Sequence, residues 1–127
     1  MYEDEYDIDA AGIDIPGVDA ALGSEHYGGE MDMYIDALRS FAAHIPAAID
    51  ALGSVSGETA REYAVNVHGL KGSCAGIGAE DVRKMAEDLE IKAKAGDVSG
   101  ILAGNGKLIE EAKSLVAGIQ AWLGRSL

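Results

Sequence analysis

Val65-Asn66-Val67-His68-Gly69-Leu70-Lys71-Gly72-Ser73-Cys74-Ala75-Gly76-Ile77-Gly78-Ala79 is the stretch whose reading decides the rest of the chain. With Ala60 and Ala64 just before it, apolar residues at Val67, Leu70, Cys74 and Ile77 recur at steps of three and four. That spacing predicts an amphipathic helix with one buried stripe. His68 falls just off the stripe. Residues three and four apart are neighbours on a helix, so the imidazole has Ala64 and Val65 one turn behind it and Lys71 and Gly72 one turn ahead.

Three glycines, Gly69, Gly72 and Gly76, crowd around this histidine inside the predicted helix, where each costs about 1 kcal/mol against alanine. A residue with no side chain one turn from an imidazole leaves room for another molecule to reach the ring. Gly72 and Gly76 also suit close packing between helices, and the two roles can hold on opposite sides. Lys71 offers a compact, flexible positive charge suited to phosphate, and as an exposed lysine without a strong partner it is expected to matter little to stability. Between Tyr63 and Ala79 there is no aspartate or glutamate, so the surroundings of His68 are expected to be free of carboxylates. A neutral imidazole that attacks phosphorus and then carries a dianionic phosphoryl group wants such a place. Ser73 either bonds back to a carbonyl of the preceding turn or fits a tight helix contact.

The stretch resembles the histidine-containing phosphotransfer (HPt) domains of two-component phosphorelays, especially those at the C-terminal end of hybrid sensor kinases. His68, Leu70, Lys71, Gly72, Ser73, Gly78 and Ala79 carry the match. Leu89 and Glu90 look like the family's Leu-Glu pair on the following helix, and Tyr27-Gly28-Gly29 with Tyr34, Leu38 and Phe41 looks like its upstream pattern. The resemblance runs from about Gly12 to Leu123. Val67 stands where alanine is common, and Gly69 is the more flexible of the usual choices after the histidine; neither removes a group the chemistry needs.

Outward from this centre, composition sets bounds. A chain of 127 residues with 48% hydrophobic content is one domain with one packed core. The net charge of −12 is unevenly placed: eleven acidic residues and no lysine or arginine precede Arg39, and the remainder is close to neutral. That balance argues against nucleic acid or an anionic membrane as a partner. The single cysteine, Cys74, excludes an internal disulfide, lies on the apolar stripe and fits a reducing compartment. With an acidic N-terminus and no apolar run of membrane-spanning length, the expected location is cytoplasmic, without membrane insertion.

Along the chain, residues 1–12 read as an acidic disordered leader or linker, and residues 13–127 as the helical domain. Residues 15–22 predict a short helix with Pro16 in its first turn and Gly23 past its end. From about Glu30, Tyr34, Leu38, Phe41, Ile45, Ile49 and Leu52 mark a long helix, with a kink expected between Ala42 and Pro46. Residues 53–57 are a loop; Thr59 with Glu62 fits a capping box for the histidine helix, and Ser56 is an equal candidate for the cap. A third long helix is predicted over 79–95, with Lys92, Lys94 and Gly96 as stop signals. A fourth runs from about Asp97 or Val98 to Leu123, with Gly104-Asn105-Gly106 as a point of interruption. No segment alternates with period two. The expected fold is therefore all-α: an antiparallel up-down four-helix bundle with a short extra N-terminal helix.

The other histidines, His26 and His44, read as structural or solvent-exposed, and the spacing of the histidines and the cysteine supplies no zinc ligand pair. Lys71-Gly72-Ser73 inside a helix has the wrong order and context for a nucleotide-binding loop. The resemblance thus implies a phosphocarrier and not an enzyme with a nucleotide site: His68 as phosphoryl acceptor, Lys71 stabilising its charge and Gly72 giving access. Its partners are a response-regulator receiver domain, a histidine kinase or both, and a monomer is expected. No cofactor of its own is expected, because Mg²⁺ and its carboxylate ligands belong on the receiver. Two rival readings are a helical module that docks a receiver without being phosphorylated, which His68 beside Lys71 disfavours, and a structural subunit, which the helical glycines disfavour.

Overall fold

The computed structural model describes residues 9–126. All regular structure among them is helical: a 3-10 turn at Ala10–Gly12, then α1 (Ala20–Glu25), α2 (Met31–Asp50), α3 (Ala60–Ile77), α4 (Glu80–Lys94) and α5 (Val98–Ser126). The long helices α2 to α5 form a bundle in which α3 packs on α2 and α4, and α5 packs on α2 and α4. Short connections between successive neighbours give the up-down arrangement expected of such a pattern. The stripe of α3 points inward as its period requires, with Tyr63, Val67, Leu70, Cys74 and Ile77 buried against Tyr34, Leu38, Phe41, Val82, Ala86 and Leu89 of the flanking helices.

Both ends of α3 are fixed by identifiable contacts. At its C-terminus Gly78 adopts φ +81° and the Ala79 N–H reaches back to the Cys74 carbonyl at 2.9 Å, a left-handed cap that glycine alone adopts without strain. The Gly78 carbonyl accepts from the Asp19 N–H at 2.9 Å, and the Tyr34 hydroxyl donates to the Ile77 carbonyl at 2.7 Å. At the other end the Tyr63 hydroxyl donates to Asn105 Oδ1 at 2.7 Å, and the Asn105 amide donates to the Leu52 carbonyl at 2.7 Å. Every partner in that chain is buried. The two sets of bonds hold α3 against α1, α2 and α5 on either side of His68.

Several boundaries differ from the sequence reading. The short N-terminal helix begins at Ala20, not residue 15. Pro16 and Gly17 lie in a turn closed by Val18 N–H to the Ile15 carbonyl, and Asp19 caps the helix by accepting the Leu22 N–H at 3.1 Å. Gly23 lies inside this helix, not beyond it, at a close contact where a Cβ would collide with the Ile77 carbonyl and the Tyr34 ring. Of the predicted leader, residues 1–8 lie outside the described residues, while Ala10–Gly12 form the 3-10 turn, with Ala10 packed against the core.

The Thr59–Glu62 capping box does not form, and Ser56 does not cap α3 either. Thr59 Oγ1 accepts the Ser56 N–H at 2.8 Å and so closes the preceding loop. α2 runs on through Pro46 to Asp50. α5 is unbroken at Gly104-Asn105-Gly106: Asn105 spends its side chain on Tyr63 and Leu52, and Gly104 lets α5 approach the Leu89 side chain. No helix among the described residues is long and apolar enough to cross a membrane.

Candidate functional site

His68 stands on the exposed ridge of α3, its side chain 65% accessible. Its Nδ1 lies 2.8 Å from Oε2 of Glu90 on α4, a side chain only 3% accessible. The same carboxylate takes Lys71 Nζ at 2.6 Å on Oε1 and Lys94 Nζ at 3.0 Å on Oε2. Lys71, Lys94 and His68 all hold the Glu90 carboxyl down, to about 2, against the cost of burying it; the Lys71 bond contributes most. An ionised carboxylate only accepts hydrogen bonds, so Nδ1 carries the ring proton. In the neutral form of the ring this bond selects the tautomer with the proton on Nδ1 and the lone pair on Nε2.

This geometry corrects two expectations. The surroundings of His68 are not free of carboxylates: the window 63–79 contains none, but α4 delivers one through space. Nor is Lys71 an exposed lysine without a partner, since it is 27% accessible and bound to a buried carboxylate. Lys94 is the more accessible cation of the pair, at 68%. In the sequence alone Lys94 reads only as a helix stop signal, and Glu90 only as half of the family's Leu-Glu pair, with no chemical role. A signal for Glu90 was present, because it sits between Leu89 and Ala93 beside the buried stripe of α4, and a carboxylate at such an edge needs partners.

The glycines leave open space. A Cβ added at Gly69 or Gly72 would meet nothing within 4 Å, and one at Gly76 would meet only the Tyr27 hydroxyl at 4.0 Å. Close helix packing therefore does not account for Gly72. These glycines floor a groove of about 620 Å³ between α2 and α3, with His68 and Ser73 on one wall and Ser40, Phe41 and His44 on the other. Ser73 is exposed and makes neither the bond nor the tight contact expected of it, its hydroxyl having no partner among the described residues. His44 is exposed as expected, yet it belongs to the groove wall, with Nδ1 2.8 Å from the Ser40 carbonyl.

His26 is exposed and lies apart from this groove. Cys74 is fully buried behind it, its thiol pushed up to about 12 by desolvation, so it is a core residue. Among the described residues no three histidine, cysteine, aspartate or glutamate side chains gather in a way that could hold a metal ion.

What the site offers chemically is an accessible imidazole on a buried carboxylate that also holds two ammonium groups, beside glycines that leave open space. Comparison with curated proteins and comparison with solved structures each give no match. The family model described as the Hpt domain matches residues 29–123, a span that includes α2, α3, α4 and nearly all of α5. The chain therefore belongs to the Hpt domain family.

Proposed function

We propose that this domain is a phosphorelay intermediate in which His68 takes a phosphoryl group from, and returns it to, an aspartate of a response-regulator receiver domain. Membership of the Hpt family carries the general role of a phosphocarrier in phosphorelays. The observation that supports the specific assignment is the Glu90 hydrogen bond to Nδ1, which in the neutral ring reserves the Nε2 lone pair for phosphorus on a side chain 65% accessible.

The transfer balances without any proton leaving the domain. The Nε2 lone pair attacks the phosphorus of an aspartyl phosphate in line with the bond to the aspartate oxygen. As the N–P bond forms the O–P bond breaks, and the aspartate leaves as a carboxylate. The ring then carries positive charge, which the Glu90 carboxylate at Nδ1 stabilises, and Lys71 and Lys94, both paired with that carboxylate, are the ammonium groups available to the phosphoryl oxygens. Gly72 keeps the approach open. Return to a second receiver is the reverse of these steps. The domain supplies nucleophile and positioning; the receiver supplies Mg²⁺ and its carboxylate ligands, and no kinase activity resides here.

The test is incubation with a phosphorylated receiver domain and Mg²⁺. Acid-labile, base-stable phosphate should appear on the chain, and His68→Gln should abolish it while the helical circular dichroism is unchanged. Label that persists in the variant moves the site elsewhere, and label acquired from ATP and Mg²⁺ alone overturns the carrier reading.

A further inference from the structure

His68 is shared by two cavities. On its α2 side lies the groove already described, whose lining holds no lysine, arginine or carboxylate. On its α4 side lies a second cavity of about 400 Å³, bordered by Arg61, Ala64, Val65, Glu90 and Lys94 as well as His68. The only acid in that border is Glu90, already committed to Lys71 through its other oxygen. Two cations therefore rim a cavity with a surplus of positive charge, in a chain whose net charge is −12.

Arg61 makes this surplus unusual. Arg39 and Arg83 each sit against carboxylates of their own helix, Asp36 for the first and Glu80 with Glu87 for the second. The Arg61 side chain makes no ion pair or hydrogen bond among the described residues. Residues 61, 65 and 68 step by four and three, so Arg61, Val65 and His68 share one face of α3. Val65, between the other two, is 67% accessible, the most exposed of the large apolar side chains among the described residues. An unpaired guanidinium and an exposed valine thus border the same cavity as the imidazole, without a partner in the fold that accounts for them.

We infer that this α3/α4 shoulder is a docking surface for an acidic loop of the receiver domain beside its phosphorylatable aspartate. The inference rests on the reading of His68 as phosphoryl acceptor. A partner that brings Mg²⁺-binding carboxylates to within bonding distance of Nε2 necessarily brings an acidic edge with it. The α2/α3 groove has no charge with which to meet that edge; Arg61 and Lys94 do, and Val65 gives the contact an apolar centre. Rim charges of this kind act chiefly on encounter rate and selectivity, and their effect fades as salt screens them.

The experiment uses Arg61→Glu, Val65→Glu and, as a control with the charge change of Arg61→Glu at an exposed position of α5, Lys113→Glu. Receiver domains are screened for one that exchanges phosphate with the wild-type chain. With that receiver, Arg61→Glu and Val65→Glu should each lower kcat/KM about tenfold or more at low salt, while the rate at saturating receiver stays near wild type. Arg61→Lys should restore most of the loss, and the Arg61→Glu gap should narrow at high salt. Labelling of His68 by phosphoramidate, a small donor that needs no docking surface, should be equal in all variants.

Wild-type kcat/KM in both shoulder variants, or an equal loss in Lys113→Glu, overturns the inference, as does failure of every receiver to exchange. Absence of phosphoramidate label on wild-type His68 instead counts against His68 as acceptor. Binding of the unphosphorylated receiver, followed by amide shifts around Arg61 and Val65, separates the two failures.

Discussion

Glu90 is the residue on which the site turns. A buried carboxylate contacting three nitrogens fixes the imidazole tautomer and gathers two ammonium groups, and each of these depends on its remaining ionised. Its folded-state value of about 2 lies below the ordinary 4.5. Between those limits the unfolded chain binds the proton and the folded chain does not, so stability rises with pH there. The contribution is full above 4.5 and is lost as pH falls through 2. Thermal melts should show wild type losing more stability than Glu90→Gln between pH 6 and pH 2.5; parallel curves would mean that the carboxylate is not held as described.

The same residue marks a limit of sequence reading. His68, Lys71 and Gly72 stand within one turn of each other and can be read together. Glu90 reaches the ring across a helix-helix contact that no spacing along the chain encodes, and Lys94 follows it there.

At the scale of the element, α3 was legible because its stripe has the helical period and its opposite face has glycines that packing does not ask for. Its ends were less so. Thr59 turned toward Ser56 instead of the helix, since a hydroxyl near a loop has local backbone donors to choose from. The open space at Gly72 gives opposite expectations for stability and transfer. Gly72→Ala should stabilise the domain by up to about 1 kcal/mol and leave transfer largely intact. Gly72→Leu should keep a similar gain yet slow exchange with a receiver severalfold, since its side chain would stand one turn from the ring. Chemical denaturation and a transfer time course check the two halves, and wild-type exchange in Gly72→Leu would remove the access role.

At the scale of the molecule, the bundle followed from four long apolar-periodic segments with short connections, and the family resemblance reinforced it. What escaped was the joinery. Asn105, in a Gly-Asn-Gly run that looks like a break, instead ties α5 to Tyr63 and Leu52, and burial pushes the Tyr63 phenol up to about 12. Gly23 looked like a terminator and is a contact point for the Ile77 carbonyl. Glycine and asparagine signal a turn by their local freedom; whether a neighbouring chain takes up that freedom is decided only by tertiary packing. The lone cysteine brings a different consequence. Cys74 has no accessible surface and lies at the centre of the bundle, in a chain with no second thiol. An alkylating reagent added to the native domain can reach it only when the helices part, so the rate of thiol capture is a chemical clock for the opening of the whole fold, with no label to be introduced.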